Sequence, residues 1–188
     1  QIAVRENPGD LQSRRNLARS YSIVSNYQAA IRVYREIVTE RPNDPRSHYD
    51  LAGLLGAIRR YQEAVEPIEA VLRLQPDNIL AHQAAAVIYA QIGRMKDSVA
   101  ITRKAAEQGD STSMYEMSLY YQEGIGVKAD SDRAFYWAEQ AALLEHVAAM
   151  QLMTETYLEG LFGKEPDNGK AIEWARRVRE IVGNSPRK

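Results

Sequence analysis

Residues 45–78 read PRSHYDLAGLLGAIRRYQEAVEPIEAVLRLQPDN, and the pattern of this stretch recurs on both sides of it. The prolines Pro8, Pro42 and Pro76 lie 34 residues apart. A fixed period of about 20 to 50 residues is typical of stacked-repeat proteins, in which each unit buries its apolar face against its neighbours. Such an array offers an extended surface, so the period predicts a binding protein.

Three stretches of the chain, 11–44, 45–78 and 79–112, share one register. Their apolar and small residues recur at spacings of one, three and four, which place them on one face of a helix. Small residues at helix crossings let two backbones approach closely, so each stretch predicts a helical hairpin. The aligned positions are Leu17, Leu51 and Ala85; Ala18, Ala52 and Ala86; Tyr21, Leu55 and Tyr89; Tyr27, Tyr61 and Met95; and Ala30, Ala64 and Ser98.

The residues between these stretches are suited to helix ends. Pro42 and Pro76 end the preceding helices because the proline ring cannot continue one. Pro45 fits the first helical position, where its missing N–H costs nothing. Three side chains are predicted to cap helix starts by accepting from free amides of the first turn: Asp10, Asp44 and Asn78.

Over residues 11 to about 110 the pattern resembles the tetratricopeptide repeat (TPR) family. The family signature is a Leu–small pair, a Tyr-like residue, an Ala, an aromatic residue and a terminal Pro. The third unit is degenerate, with Asp110 in place of the final Pro. The first two units match at Leu17, Ala18, Tyr21, Ala30, Tyr34 and Pro42, and at Leu51, Ala52, Leu55, Ala64, Ile68 and Pro76.

A different repeat begins near residue 113 and resembles the Sel-one-like repeat, a relative of TPR with a longer Gly-x-Gly-Val loop between its helices. Glycine suits this loop because the chain reversal needs positive φ. The second copy departs from the pattern, with Gly163 and Lys164 where the family has Gly-Val. The two copies align at Tyr121 and Tyr157, Gly124 and Gly160, Asp130 and Asp167, Ala134 and Ala171, and Trp137 and Trp174.

These resemblances imply an all-α fold, a right-handed superhelical solenoid of antiparallel helical hairpins. We expect three TPR units over 9–112 and two Sel-one-like units over 113–183, forming a single continuous solenoid domain. Residues 1–8 align with the end of the first unit and predict the tail of a preceding repeat; a short capping helix is the alternative. The last helix is expected to stop at Gly183, leaving 184–188 as a frayed tail.

Composition narrows the function classes. The chain has no cysteine, which excludes disulfides and thiolate chemistry. Residues 1–60 carry ten arginines, no lysine and six acidic residues, whereas the net charge of the whole chain is −1. This basic bias is too small to predict a nucleic-acid partner. No apolar run reaches the roughly 18 residues of a membrane span, so direct membrane insertion is not expected.

Candidate catalytic residues are few. His48 and His82 share a register position, where packing or capping is favoured over a metal or catalytic role. His146 is expected at the surface, at the start of a helix. Trp137 and Trp174 stand at core signature positions, which favours packing over ligand stacking. No Ser or Asp completes a catalytic arrangement with a histidine. We therefore predict no enzyme, no catalytic or metal residue and no cofactor.

The predicted binding surface is the concave face, which in TPR-like stacks is lined by the first helix of each hairpin. Its stripe begins basic at Arg15 and Arg19, and becomes small and apolar past Gly53 and Leu80. We expect a groove for a peptide or amphipathic helix of a partner protein, acidic at one end. Its predicted residues are Gln12, Arg15, Arg19, Arg46, Tyr49, Gly53, Gly56, Gln83, Val87, Ala90, Tyr115 and Leu119.

Two glycines within one helix leave two interpretations open. Each costs about 1 kcal/mol relative to alanine, so Gly53 and Gly56 either let a partner chain lie close or ease packing between neighbouring hairpins. The preferred function is a protein-interaction scaffold. A structural, self-associating spacer within a larger repeat protein is the alternative. The resemblance implies bacterial envelope assembly, secretion or polysaccharide export, with the envelope or periplasm favoured over the cytoplasm.

Overall fold

The computed structural model describes residues 10–183, and these contain ten α-helices, one 3-10 helix and no strand. The all-α prediction is confirmed. The predicted tails, 1–8 and 184–188, lie outside the described residues. The helices are α1 (Leu11–Ile23), α2 (Tyr27–Glu40), α3 (Pro45–Ala57), α4 (Tyr61–Leu74), α5 (Ile79–Gln91), α6 (Met95–Glu107), α7 (Ser111–Glu123), α8 (Ser131–Leu143), α9 (Val147–Glu159) and α10 (Asn168–Gly183), with the 3-10 helix at Leu161–Gly163.

The chain divides into two compact units, Gln1–Arg94 and Met95–Lys188. The first unit contains α1 to α5 and the second contains α6 to α10. The division falls between α5 and α6, inside the third predicted TPR unit. The single continuous domain and its internal bounds stay a prediction.

In the first unit, α1 packs on α2 and α3 packs on α4, each pair joined by a short turn, and α5 packs on α4. The small residues of the repeat pattern lie at these crossings: Ala18, Ala30 and Ala64 are fully buried. Larger side chains fill the space beside them, and three of these, Ile37, Leu55 and Ile68, are at most 1% exposed. The register read from the sequence therefore marks the core.

The predicted helix caps are confirmed. The carboxylate of Asp10 accepts from the Ser13 amide at 2.7 Å. Asp44 likewise accepts from the amide of Ser47 at 3.1 Å. Asn78 caps α5 through the backbone N–H of Ala81, at 3.0 Å. Pro45 occupies the first position of α3, as predicted.

The turns that follow α1, α3 and α5 each contain one left-handed residue at the same register position. Ser25, Arg59 and Gly93 have φ values of 59°, 61° and 80°. Left-handed backbone disfavours residues that carry a Cβ, and glycine adopts it freely. The first two turns are therefore strained where the third is not.

In the second unit, α7 pairs with α8 and α9 pairs with α10, while α6 packs on α7. Trp137 packs against the α6–α8 core and Trp174 against the α8–α10 core, which confirms their prediction as core residues. The first core comprises Val99, Ala106, Met117, Tyr121 and Ala134, and the second Ala138, Ala141, Ala142, Ala149, Met150 and Met153.

The loop between α7 and α8 confirms the predicted need for glycine. Gly124 and Gly126 have φ values of 71° and 68°. A Cβ added at Gly126 would lie 2.8 Å from Cγ2 of Val99 and 2.9 Å from the carbonyl O of Met95. Only a residue without a side chain fits this position. In the second loop, Gly163 has the same positive φ but open space around it.

Candidate functional site

The predicted concave-face residues lie on four helices. Those of α1, α3 and α5 belong to the first unit, and those of α7 belong to the second. The structure gathers part of the first group around two pockets that share Tyr49. We call these the glycine pocket and the polar pocket.

The glycine pocket lies between α3 and α5 and has a volume of about 290 Å³. Four predicted residues line it: Tyr49, Gly53, Gly56 and Val87. Val87 is 56% exposed, a large fraction for an apolar side chain. The remaining lining residues are Ala52, Ala57, Tyr61, Ile68, Ala84 and Ile88. The lining is thus aliphatic and aromatic.

The space around the two glycines decides between their two interpretations. A Cβ added at Gly53 or at Gly56 would meet no atom within 4 Å beyond the adjacent backbone of α3. Neither glycine is therefore required for close packing of neighbouring hairpins in the described structure. Both instead expose bare backbone to the pocket.

The polar pocket adjoins it at Tyr49 and has a volume of about 330 Å³. Arg46 is an exposed cation of this pocket, and Leu80, 62% exposed, forms an apolar part of its lining. The other lining residues are Arg19, Pro45, Asp50, Gln75 and Asn78. An apolar cavity and a cationic cavity therefore lie side by side on the α3–α5 face.

The two arginines predicted to meet an acidic partner are already paired within the unit. Arg15 lies 3.0 Å from Asp44. Arg19 lies 3.2 Å from Asp50, and this hydrogen bond raises the pKa of the Arg19 guanidinium. Arg46 differs, because no carboxylate within residues 10–183 lies at ion-pair distance from it. Among the three arginines of the predicted stripe, Arg46 is therefore the one without an ion pair in the described residues.

Other predicted residues lie away from these pockets. The exposed side chain of Gln12 donates to Asn16 at 2.9 Å. Gln83 and Ala90 are half-buried on α5 and line neither pocket. In the second unit, Leu119 is half-buried and Tyr115 stacks on His146, with ring centroids 5.0 Å apart. The structure therefore joins only the central part of the predicted stripe.

The histidines take structural positions. His48 is 6% exposed, and its Nε2 lies 2.9 Å from the carbonyl O of Pro42, a contact of the predicted capping kind. His82 is buried as well. His146, expected at the surface, is instead half-buried, because its Nδ1 caps α9 by accepting from the Ala149 amide at 3.3 Å. Burial lowers the pKa of His146, an effect that Asp110 opposes.

Neither a clustered metal site nor a membrane span is found in the part of the chain that the structure describes. Residues 10–183 contain no group of three or more His, Asp or Glu side chains that could hold a metal ion. No helix in the same range is long and apolar enough to cross a membrane.

Two family models match the chain over consecutive stretches. Residues 49–112 match the tetratricopeptide repeat, and residues 111–146 and 147–177 match the Sel1 repeat. The chain carries tetratricopeptide and Sel1 repeats. The Sel1 matches begin at the starts of α7 and α9 and confirm the Sel-one-like resemblance. The TPR match includes α3 and α5 from Tyr49 onward, where the glycine pocket lies.

Relatives of these TPR and Sel1 repeats occur in diverse proteins. Chitin synthase regulatory factor 3 of Schizosaccharomyces pombe is 32% identical over 79 residues, which are 42% of this chain and 8% of that protein. The crystal structure of a Sel1 repeat protein from Oxalobacter formigenes superposes with a TM-score of 0.63 at 23% identity, covering 89% of this chain and 72% of that one. The TPR protein YrrB, described as having an unusual peptide-binding site, gives 0.63 at 18% identity, covering 98% and 92%.

The family matches indicate the general role. At such identities the solved structures establish a shared fold. TPR and Sel1 repeats form scaffolds suited to protein–protein interaction, and the two families are typically non-enzymatic.

Proposed function

We propose that the protein is a non-enzymatic scaffold that binds a peptide or helix of a partner protein on the α3–α5 face of its first unit. The observation that carries this proposal is the glycine pocket, where bare backbone at Gly53 and Gly56 faces open space beside the exposed Val87. Glycines that cost helix stability and ease no packing are explained by a ligand that approaches the backbone closely.

The chemistry of the two pockets specifies the ligand. An apolar side chain suits the glycine pocket, and Tyr49 offers an aromatic wall of the kind that anchors interfaces. An acidic group nearby in the ligand suits Arg46, whose charge is unpaired. The proposed ligand is thus a short segment with an apolar residue close to an acidic one. This revises the sequence prediction, which placed the acidic end at Arg15 and Arg19.

The free energies that these contacts can contribute favour a transient complex. Fully burying one large apolar side chain contributes about 1.5–3 kcal/mol. A micromolar dissociation constant corresponds to about 8 kcal/mol, before the cost of ordering the ligand is included. Two apolar contacts, at Val87 and Leu80, and one charge contact with Arg46 fall near or below this value. We expect affinity in the micromolar range or weaker.

Two comparisons support peptide as the ligand class and regulation as its context. YrrB shares the fold and is described as having a peptide-binding site. The fission yeast relative is named a regulatory factor of an enzyme, although the chain matches 8% of its length. The predicted setting, bacterial envelope assembly, secretion or polysaccharide export, rests on the family resemblance alone.

The experiment is a selection from a displayed library of random dodecamers against the folded chain, followed by calorimetric titration of a selected peptide. Enriched sequences should pair an apolar residue with a nearby acidic one. Val87→Asp should weaken binding about tenfold or more, because it places a charge in an apolar pocket. Arg46→Glu should weaken it severalfold by charge repulsion.

Matched controls lie on the same unit outside the pockets. Ile23→Asp changes another exposed apolar residue, 83% exposed, and Arg32→Glu changes another exposed arginine. Both should leave affinity unchanged. Equal losses in the pocket variants and the controls would contradict binding at the α3–α5 face.

Self-association is the second candidate, because the same exposed side chains of Leu80 and Val87 suit a copy of the chain. It is the alternative in which the array acts as a structural spacer. Sedimentation velocity over a concentration series separates the two. A monomer at the highest concentration excludes the spacer, whereas a dimer lost in Val87→Asp excludes a groove open to peptides.

A further inference from the structure

A third pocket, in the second unit, is built from cations. It has a volume of about 340 Å³ and lies between α6, the α7–α8 loop and the start of α8. Arg103, Lys128 and Arg133 line it around the hydroxyl of Tyr121, together with Val127, Ala129 and Asp130. We call it the Tyr121 pocket. The proposed peptide groove of the first unit does not involve it.

The hydroxyl of Tyr121 brings two of these cations together. Its ring is 4% exposed, and its oxygen accepts from Arg103 at 3.0 Å and from Arg133 at 3.1 Å. Arg133 also lies over the Tyr121 ring, with its guanidinium carbon 5.4 Å from the centroid. This partner is a hydroxyl and not a carboxylate, so it holds both guanidinium groups in place without forming an ion pair with either.

Carboxylates balance only part of this charge. Asp130 lies 3.4 Å from Arg133 and also caps α8. Arg103 and Lys128 have no carboxylate at ion-pair distance within residues 10–183. The pocket therefore contains three cations and one anion. Each guanidinium has further N–H groups beyond the one given to Tyr121, and a planar guanidinium matches a carboxylate with two parallel hydrogen bonds.

A similar pocket of about 660 Å³ lies around Tyr157, the counterpart of Tyr121, and it carries different charges. Glu139 of α8 stands at the position of Arg103 of α6, Glu165 at that of Lys128, and Lys170 at that of Arg133. The cations of this pocket, Lys164 and Lys170, lie over the rings of Phe135 and Tyr157. The fold thus tolerates acidic residues at these positions, and the cationic set belongs to the Tyr121 pocket.

We propose that the Tyr121 pocket binds an acidic segment of a partner protein, with neighbouring carboxylates received by Arg103, Arg133 and Lys128. The excess of positive charge favours at least two carboxylates. Tyr121 orients the two guanidinium groups and does not carry charge itself. Because the contacts are made by cations at the surface, the affinity should fall as salt rises.

The test follows the guanidinium Nε–Hε signals of Arg103 and Arg133 by NMR while the full chain is titrated with a hexaglutamate peptide at low salt. Both signals should shift saturably, and a hexaglutamine peptide should not move them. The double variant R103E/K128E, which takes the corresponding residues of the pocket around Tyr157, should weaken hexaglutamate binding about tenfold by charge repulsion. The variant K96E/K104E makes the same charge change at exposed positions of α6 outside the pocket and should stay within about twofold.

A further double variant tests the pocket by gain of function. E139R/E165K gives the pocket around Tyr157 the cations of the Tyr121 pocket, and the guanidinium introduced at position 139 should then shift with hexaglutamate. The variant E139R/E165K tests the proposal even if R103E/K128E fails to fold. Equal weakening by R103E/K128E and K96E/K104E, or no saturable shift, would overturn the proposal. Shifts with inorganic phosphate but not with hexaglutamate would overturn it in favour of a small oxyanion.

Discussion

The glycines of α3 and the glycine of the first Sel1 loop lie in opposite surroundings. At Gly53 and Gly56 a side chain would meet open space, whereas at Gly126 it would collide with Val99 and the backbone of Met95. The first pair weakens its helix without easing its packing, and the last is required by the fold. The first unit thus has helical glycines beside open space, and the first Sel1 loop has a glycine that the packing around it requires.

The largest expected effect is at the Sel1 loop. Gly126→Ala should lower the free energy of unfolding by about 3 kcal/mol, because it combines left-handed backbone with overpacking. Urea denaturation measures the change. Gly163→Ala is the matched control in the second loop, with φ of +70° and open space, and it should cost only about 1 kcal/mol. Equal losses at both positions would show that the collision at Gly126 is relieved by small shifts.

In the TPR unit, replacing glycine by alanine is expected to raise the free energy of unfolding instead. Gly53→Ala and Gly56→Ala should each raise the free energy of unfolding by about 1 kcal/mol, because alanine favours the helix and finds room. The same denaturation experiment tests this. Affinity for a peptide selected on the α3–α5 face should fall in these variants while stability rises. A loss of stability in either variant would restore the packing interpretation of the two glycines.

The TPR turns sharpen the comparison, since they place residues with side chains where glycine is preferred. Arg59→Gly should raise the free energy of unfolding by about 1 kcal/mol, because Arg59 has φ of 61°. The reverse change at the same register position, Gly93→Ala, should lower it by a similar amount. Thermal melts of both variants measure the pair. If Arg59→Gly does not raise the free energy of unfolding, the turn imposes little strain.

The smallest effect concerns one helix cap of the second unit. The helices α1, α3 and α5 begin at Asp or Asn, but α9 begins at His146, whose neutral Nδ1 accepts from the Ala149 amide. Burial lowers the pKa of His146 from 6.5, so the unfolded chain binds the proton more readily. This contribution to stability is complete above pH 6.5 and is lost as the pH falls below it.

Replacing His146 by asparagine isolates this contribution. His146→Asn keeps a capping side chain without a titrating group. When the pH is lowered from 7.5 to 5.5, the free energy of unfolding of the wild type should therefore fall relative to that of the variant. A constant difference over that range would mean that His146 does not titrate with folding.

The 34-residue period makes most of the fold predictable, because the same residues that repeat are those that pack. The repeat register alone identifies Ala18, Leu55 and Ile68 as core positions, and all three are buried. The caps at Asp44 and Asn78 are equally accessible to prediction, since they depend on neighbours three residues away. The division of the third TPR unit between two compact units has no local signature.

The candidate site is less predictable, because its contacts join residues that lie far apart in the sequence. Arg15 and Asp44 are 29 residues apart in sequence, so their pairing depends on how successive hairpins meet. The space around Gly53 likewise depends on α5 as much as on α3. Tyr121 is recognisable as a repeat position, but its role between two arginines depends on the loop geometry. Sequence periodicity describes each hairpin, whereas these contacts arise between neighbouring elements.

The Asp44 carboxylate has a consequence for cooperativity. Its Oδ2 accepts both from the Ser47 amide, in the hairpin whose first helix Asp44 caps, and from Arg15, in the preceding hairpin. In a nearest-neighbour description of a repeat protein, the first bond belongs to the intrinsic stability of one repeat and the second to the coupling between two. One atom therefore contributes to both quantities. Fraying at the start of α3 and separation of the first hairpin should occur together rather than in sequence.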